Sequence, residues 1–418
     1  MNKKEQKIVI RGPAQLKGNI GISGSKNAVL PMLAATLLTD EKCVIENVPR
    51  LSDIRTMINL VQVIGKKVVR TGDTVTVKST GKLKNEAPYD LVKKLRASVL
   101  VMGGLVGRMK NLNVALPGGC PIGSRPIDIH LKGFRKMGVQ TRVERGFVNL
   151  KSPVLEGARV CLDFPSVGAT ENLVMAACLG EGTTVLENTA TEPEVIQLMK
   201  FLKSMGASIT TDGNIVKVEG CDHLKGTKFR VMDDRIQAGT YLLAGLIKGS
   251  KINFEFSHPR ALESVMDKAT ECGGKIKVDN GKISIKAPRV LKSADIRTSP
   301  YPGFPTDLQA PFATLMTVAE GTSVITEEIF ENRMMHCSEL LRMGAEIEVK
   351  KQSAIITGVD SLSGAPVSAA DLRGGAAMVI AGLIARGQSE VYDIYHIERG
   401  YENIVEKFSK LGAKIWKK

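Results

Sequence analysis

Aromatic residues are scarce: one Trp, six Tyr and eleven Phe make up 4% of the 418 residues. Single-stranded nucleic acid is usually gripped on aromatic platforms, and no RNP, helix-turn-helix or zinc-finger pattern is present, so nucleic-acid binding is not expected despite a formal charge of +15. Long apolar runs are missing too. None approaches the roughly 20 residues that span a bilayer, and the basic start MNKKEQKIVIRG lacks the hydrophobic region of a signal peptide, which predicts a cytoplasmic protein with no membrane partner. Seven cysteines (Cys43, Cys120, Cys161, Cys178, Cys221, Cys272 and Cys337) form no CxxC pair and are odd in number, which argues against a disulfide framework or a zinc site. Five histidines stand singly, so no metal is expected. Neither ISGSKN nor SVGATEN has the spacing of a P-loop or a dinucleotide fingerprint, and no cofactor is expected.

What is present is a repeat. A helix ending in a glycine, followed by a short β-branched run, closes at Ile64-Gly65, Met137-Gly138, Met205-Gly206, Gly273-Gly274, Met343-Gly344 and Leu411-Gly412, at intervals of 73, 68, 68, 70 and 68 residues. Upstream of most copies lies an Ala/Leu-rich helix and a Val/Ile strand, so one α/β unit of about 70 residues recurs six times. With 43% hydrophobic and 24% charged residues the chain is globular, and its length suits two or three domains, such as two groups of three repeats. The first copy predicts a strand at Ile20–Ile22, a turn Ser23–Lys26, a helix from Asn27 to Leu38, a strand Cys43–Asn47 and a second helix from Ser52 to Val63 capped by Ser52 or Asp53.

Each strand-to-helix turn delivers polar residues to a helix N-terminus, where free N–H groups and the macrodipole favour anions. The six turns carry Lys26, Arg96, Ser166, Arg235, Asp307 and Arg373. Ordinary capping accounts for Ser166 and Asp234. It does not account for Lys26, Arg96 or Arg373, because a cation at the positive helix end is unfavourable unless an anion offsets it. The basic excess and these positions suggest anionic small molecules as partners.

One segment breaks the pattern. Pro117-Gly118-Gly119-Cys120-Pro121-Ile122-Gly123-Ser124-Arg125-Pro126 holds three prolines and three glycines in ten residues, which excludes regular structure and predicts an exposed loop between a strand Asn113–Leu116 and a helix starting near Asp128. The other six cysteines are expected to be buried hydrophobes. Cys120, five residues from an arginine, is a candidate nucleophile or proton donor.

PGGCPIGSRPIDIH (117 to 130), SGSKNAVLPMLAATLL (23 to 38), LRASVLVMGGLVGR (95 to 108), GFPTDLQAPF (303 to 312), IFENRMMH (329 to 336), ADLRGGAA (370 to 377) and HIERGYE (396 to 402) closely resemble the UDP-N-acetylglucosamine enolpyruvyl transferases, in order along essentially the whole chain. The resemblance implies transfer of enolpyruvate from phosphoenolpyruvate to the sugar 3-hydroxyl of UDP-N-acetylglucosamine, the first committed step of peptidoglycan synthesis, with release of phosphate. It implies two inside-out α/β barrel domains of three repeats each, residues 1–23 with 232–418 and residues 24–231, with the active site in the cleft between them.

Residue by residue, the resemblance makes Cys120 the proton donor, a thiol that can form a phosphoenolpyruvate adduct and that fosfomycin alkylates in that family. Lys26, Arg125 and Arg399 match ligands of phosphoenolpyruvate, and Asp307 matches the carboxylate assigned as base to the sugar hydroxyl. Asn27, Arg96, Arg125, Pro126, Ile127, Asp128, Ile129, Ser166, Val167, Gly168 and the backbone at Ile329 match positions around the nucleotide sugar. Arg333, Asp371 and Arg373 match further polar residues of the site, although a purely structural Arg373–Asp371 ion pair is the alternative for the last two. The chain departs from some members at Phe164, where they carry a lysine that can reach diphosphate or uracil. The related 3-phosphoshikimate enolpyruvyl transferases lack this cysteine loop.

Overall fold

The Ala/Leu-rich segments become helices that are buried almost all the way round. In the computed structural model, which describes residues 6–118, 123 and 127–418, helix Lys26–Ala35 buries every residue but Asn27, and Arg235–Ala244 and Gln309–Met316 bury all of theirs. Leu372–Ile384 exposes part of Ile384 alone. A helix apolar on all sides must lie inside its domain. The second helix of each copy is amphipathic instead: Ser52–Ile64 buries Ile54, Met57, Leu60, Val61 and Ile64 on one face. The hairpin strands alternate, as in Lys282–Lys286, with one face buried and the other in solvent. Helices inside and sheets outside make an inside-out α/β barrel. No described helix is long and apolar enough to cross a membrane.

Six four-stranded sheets share one plan, a parallel pair followed by two antiparallel neighbours. In the first copy Lys228–Arg230 runs parallel to Cys43–Glu46, which pairs antiparallel with Thr74–Ser79 and that with Lys66–Thr71. The parallel step requires a helical crossover, and the antiparallel hairpin needs only a tight turn. Between Lys275–Asp279 and Lys282–Lys286 that turn is Asn280-Gly281, both left-handed at φ 46° and 78°.

The described residues divide into two compact units, one of residues 6–23, 123 and 233–418 and the other of residues 24–118 and 127–232, each with three of the sheets. Each has its own apolar core. In the first unit the start of the chain completes sheets made by its far end. Ile8–Gly12 lies between Gly387–Tyr392 and Lys414–Lys417, and Lys17–Asn19 runs beside Lys251–Glu255.

Several local expectations change. The strand expected at Ile20–Ile22 forms at Lys17–Asn19, because it is the backbone of those three residues that meets Lys251–Asn253. Helix Ser52–Ile64 has no side-chain cap, because its N-cap position falls on Leu51, which offers no acceptor; Asp53, inside the first turn, pairs with Lys26. The first helix starts at Lys26 and tightens into a 3-10 turn at Thr36–Leu38. Cys43, Cys178, Cys272 and Cys337 are buried, but Cys161, at the end of an edge strand, is exposed, and Cys221, past the end of strand Ile215–Glu219, is half-buried.

Candidate active site

In the first unit three elements bring charged groups to one carboxylate. Asp307 sits in the 3-10 turn Thr306–Leu308 that opens helix Gln309–Met316. Arg333 Nη2 donates to its Oδ1 at 2.7 Å and Arg373 Nη2 to its Oδ2 at 2.8 Å. The two guanidinium side chains are 6% and 4% exposed and the carboxylate 25%, so the cluster shows water little more than the acid. Burial pushes the Asp307 carboxyl up, but Arg373 and Arg333 outweigh it and hold the group well below the usual carboxylate range.

Arg373 is the second residue of helix Leu372–Ile384, whose N-cap is Asp371: its Oδ1 accepts from the N–H of Arg373 at 2.8 Å and of Gly374 at 3.1 Å. The expected alternative, an Arg373–Asp371 ion pair, is therefore wrong. Asp371 is occupied as a cap, and the guanidinium reaches past it to Asp307, with its Cζ 5.3 Å from the ring centre of Tyr401. Arg373 Nη1 is buried with no hydrogen-bond partner among the described residues. A buried cationic donor left open is costly, and it suits an arriving acceptor. Arg333 lies over Phe330 at 5.2 Å and gives its Nη1 to Thr306 Oγ1 at 2.8 Å. His336, 2% exposed, is pushed down to about 4 by burial, with Asp371 opposing and Arg333 adding to the shift, and is neutral at working pH. Arg399 ends the 3-10 turn Ile397–Arg399, and it and Asp371 both act on His396. Ile329 is half-buried on the segment leading to Arg333.

In the second unit Lys26 opens helix Lys26–Ala35, 8% exposed, with its Nζ 3.1 Å from Asp53 Oδ2. Asn27 and Arg96 are half-buried at the starts of Lys26–Ala35 and of the 3-10 helix Arg96–Leu100. Ser166 caps helix Val167–Ala177, accepting from Ala169 N at 3.4 Å, and Asp234 caps Arg235–Ala244, as their positions predict. Ile127, Asp128 and Ile129 begin helix Asp128–Lys136, whose His130 lies against Gly168: a Cβ there would come 3.2 Å from the ring. Helix Asp128–Lys136 and the turn Ser166–Gly168 are thus neighbours. Phe164 is 42% exposed beside an Asp163–Lys132 ion pair of 2.7 Å. Cys120, Arg125 and Pro126 lie outside the described residues. Among those described, no group of three His, Cys, Asp or Glu side chains is placed to hold a metal ion.

Sequence reasoning missed Thr306, Tyr401 and His336. All three lie inside motifs already singled out, GFPTDLQAPF, HIERGYE and IFENRMMH, and adjacency to Asp307 was the one available signal for the threonine.

Comparison with known proteins adds five findings. The family model of EPSP synthase (3-phosphoshikimate 1-carboxyvinyltransferase) matches residues 10–408. UDP-N-acetylglucosamine 1-carboxyvinyltransferase 1 of Caldanaerobacter subterraneus is 48% identical over 413 residues, 99% of either chain. UDP-N-acetylglucosamine 1-carboxyvinyltransferase of Elusimicrobium minutum is 49% identical over 413 residues, 98% of either. Among solved structures, the enolpyruvyl transferase NikO from Streptomyces tendae superposes with a TM-score of 0.89 at 23% identity, covering 99% of both chains, and EPSP synthase from Acinetobacter baumannii with 0.76 at 20%, covering 99% of this chain and 100% of its own.

Proposed function

The chain belongs to the EPSP synthase family and, within it, to the UDP-N-acetylglucosamine 1-carboxyvinyltransferases, and from that premise we propose that it moves enolpyruvate from phosphoenolpyruvate to the 3-hydroxyl of UDP-N-acetylglucosamine in the cytoplasm, the entry step of peptidoglycan synthesis. The observation that carries the reading beyond relatedness is Asp307 fixed between Arg333 and Arg373, a preorganised acceptor for a hydroxyl.

In the reaction, the Cys120 thiol gives its proton to the methylene carbon of phosphoenolpyruvate while the sugar oxygen bonds to C2. Asp307 accepts the hydrogen bond of that hydroxyl and takes its proton as the new C–O bond makes it acidic. The addition product then loses phosphate by C–O cleavage, the departing phosphate carrying off the proton held by Asp307, and a methyl proton returns to the Cys120 thiolate, restoring the double bond. Lys26, Arg125 and Arg399 neutralise the phosphate and carboxylate of phosphoenolpyruvate. Asn27, Arg96, the segment from Arg125 to Ile129, Ser166 to Gly168 and Ile329 hold the nucleotide sugar. Its anionic groups suit the positive end of the helix dipole at the start of Val167–Ala177. Arg373 Nη1, which has no hydrogen-bond partner among the described residues, is a donor suited to the same substrate.

The test is phosphate release. UDP-N-acetylglucosamine with phosphoenolpyruvate should support turnover and shikimate 3-phosphate should not. The reverse result would replace this reading with the sister activity. Cys120→Ser should lose at least about 100-fold in kcat, the scale of a general acid, and fosfomycin should leave a mass adduct on Cys120. A near-normal rate in that variant would remove the thiol from the chemistry.

A further inference from the structure

Behind Asp307 and Arg333 lies a second carboxylate that the mechanism has not used. Glu327 is fully buried just past strand Thr322–Thr326. Four neutral donors converge on it. Thr298 Oγ1 gives to Oε1 at 2.8 Å, the N–H groups of Ile329 and Phe330 give to the same oxygen at 2.9 and 3.2 Å, and Thr306 Oγ1 gives to Oε2 at 2.8 Å. A buried polar group is tolerable only when satisfied in this way, and apolar side chains of similar volume commonly serve packing as well or better. The arrangement therefore calls for a reason other than stability.

The direction of the hydrogen bonds supplies one. As donor to Glu327 Oε2, the Thr306 hydroxyl points its hydrogen there and turns a lone pair the other way. That lone pair receives Arg333 Nη1 at 2.8 Å, and the second nitrogen of the same guanidinium is thereby aimed at Asp307 Oδ1, 2.7 Å away. On its other oxygen Glu327 pins the backbone of Ile329 and Phe330, and Phe330 is the ring beneath Arg333.

We propose that Glu327 is a positioning residue of the transfer reaction, orienting Arg333 on Asp307 through Thr306 and fixing the Ile329–Phe330 backbone that meets the nucleotide sugar. The inference rests on the proposed roles of Asp307, Arg333 and Ile329. Turnover of UDP-N-acetylglucosamine and phosphoenolpyruvate by the wild-type enzyme tests those roles independently of any substitution at Glu327 or Thr306.

Glu327→Gln keeps the volume but places an NH₂ beside Thr306 or the two backbone N–H groups, reversing one arm of the relay whichever way the amide turns. In the full-length enzyme it should lower kcat at least 10-fold and raise KM for UDP-N-acetylglucosamine at least 5-fold, leaving KM for phosphoenolpyruvate within 2-fold. Because Arg333 helps keep Asp307 ionised, the acid limb of the kcat profile should also move to higher pH, which a loss of packing alone would not produce. Thr306→Val, which cuts only the hydroxyl link, should show the same fall in kcat, and Thr306→Ser should recover most of it. If Glu327→Gln does not fold, the threonine pair decides. Rates and KM values within 2-fold of wild type in Glu327→Gln, or in Thr306→Val, would overturn the proposal, as would a Thr306→Ser enzyme no better than Thr306→Val.

Discussion

At the scale of single residues the molecule turns on how Asp307 is charged. Two guanidinium groups on its two oxygens keep it ionised well below the usual carboxylate range despite its burial, so it is a strong acceptor and a weak base. A group depressed in the folded state contributes stability that is complete above its unfolded value of about 3.9 and is lost as the pH falls through the folded value. Asp307→Asn removes that contribution and leaves Arg333 and Arg373 facing each other, 5% and 3% exposed, without an anion. Breaking a buried pair from one side costs about 3–5 kcal/mol, so this variant should melt markedly lower at pH 7 as well as lose turnover, and the gap to wild type should narrow as the pH drops below about 4. A melting curve unchanged at pH 7 would show that the arginines do not depend on Asp307. This partnership was half legible in the chain. Asp307, Arg333 and Arg373 each stood out by type and position, but a cation two residues from Asp371 invites a local ion pair, and no sequence pattern reports that the cap consumes that acid or that the true partner lies 66 positions back.

At the scale of elements, the recurring glycine that revealed six copies is a helix stop with a physical form. In five copies the N–H after the glycine reaches back to a carbonyl five residues earlier, as Val139 to Phe134, Ala207 to Leu202, Gly274 to Ala269, Ala345 to Leu340 and Ala413 to Phe408, with the glycine itself left-handed. That geometry identifies the closing glycine of the fourth copy as Gly273, at φ 92°, and not Gly274. Left-handed stops and period-3.6 apolar faces were readable because local sequence dictates them. Lys17–Asn19 was not readable, being an exposed tripeptide whose strand character comes entirely from a partner far along the chain. Close helix packing was equally invisible. Gly104 lies in helix Val101–Val106, where a Cβ would meet the carbonyl oxygen of Ala34 at 2.5 Å. Alanine is better than glycine in a helix by about 0.8–1 kcal/mol. Against rigid backbone, overpacking of about 1–3 kcal/mol should win, and Gly104→Ala should lower the urea midpoint. A raised midpoint would mean that the two helices are not in contact at that point.

At the scale of the whole molecule, the chain begins in one unit, passes to the other between residues 23 and 24, and returns between 232 and 233. Six copies suggested two groups of three from their count alone. What the count could not give is that the first unit is incomplete without the chain's own beginning. Ile8–Gly12 is an interior strand of the sheet formed with Gly387–Tyr392 and Lys414–Lys417, and Ile10 on it is fully buried in a core drawn otherwise from Ile8 and from residues 14–20 and 236–415. The core of residues 28–232 shares no member with it. Ile10→Asp places a carboxylate among apolar groups with no donor prepared for it, a cost that a marginally stable fold does not absorb. If each unit is held by its own core, the damage should stay where the strand is. Hydrogen exchange in this variant should lose protection along Gly387–Tyr392, Lys414–Lys417 and helix Leu372–Ile384, while helices Lys26–Ala35 and Val167–Ala177 keep theirs. Loss of protection in both sets at once would show one cooperative body in place of two, and the separateness of the cores would then have no energetic meaning.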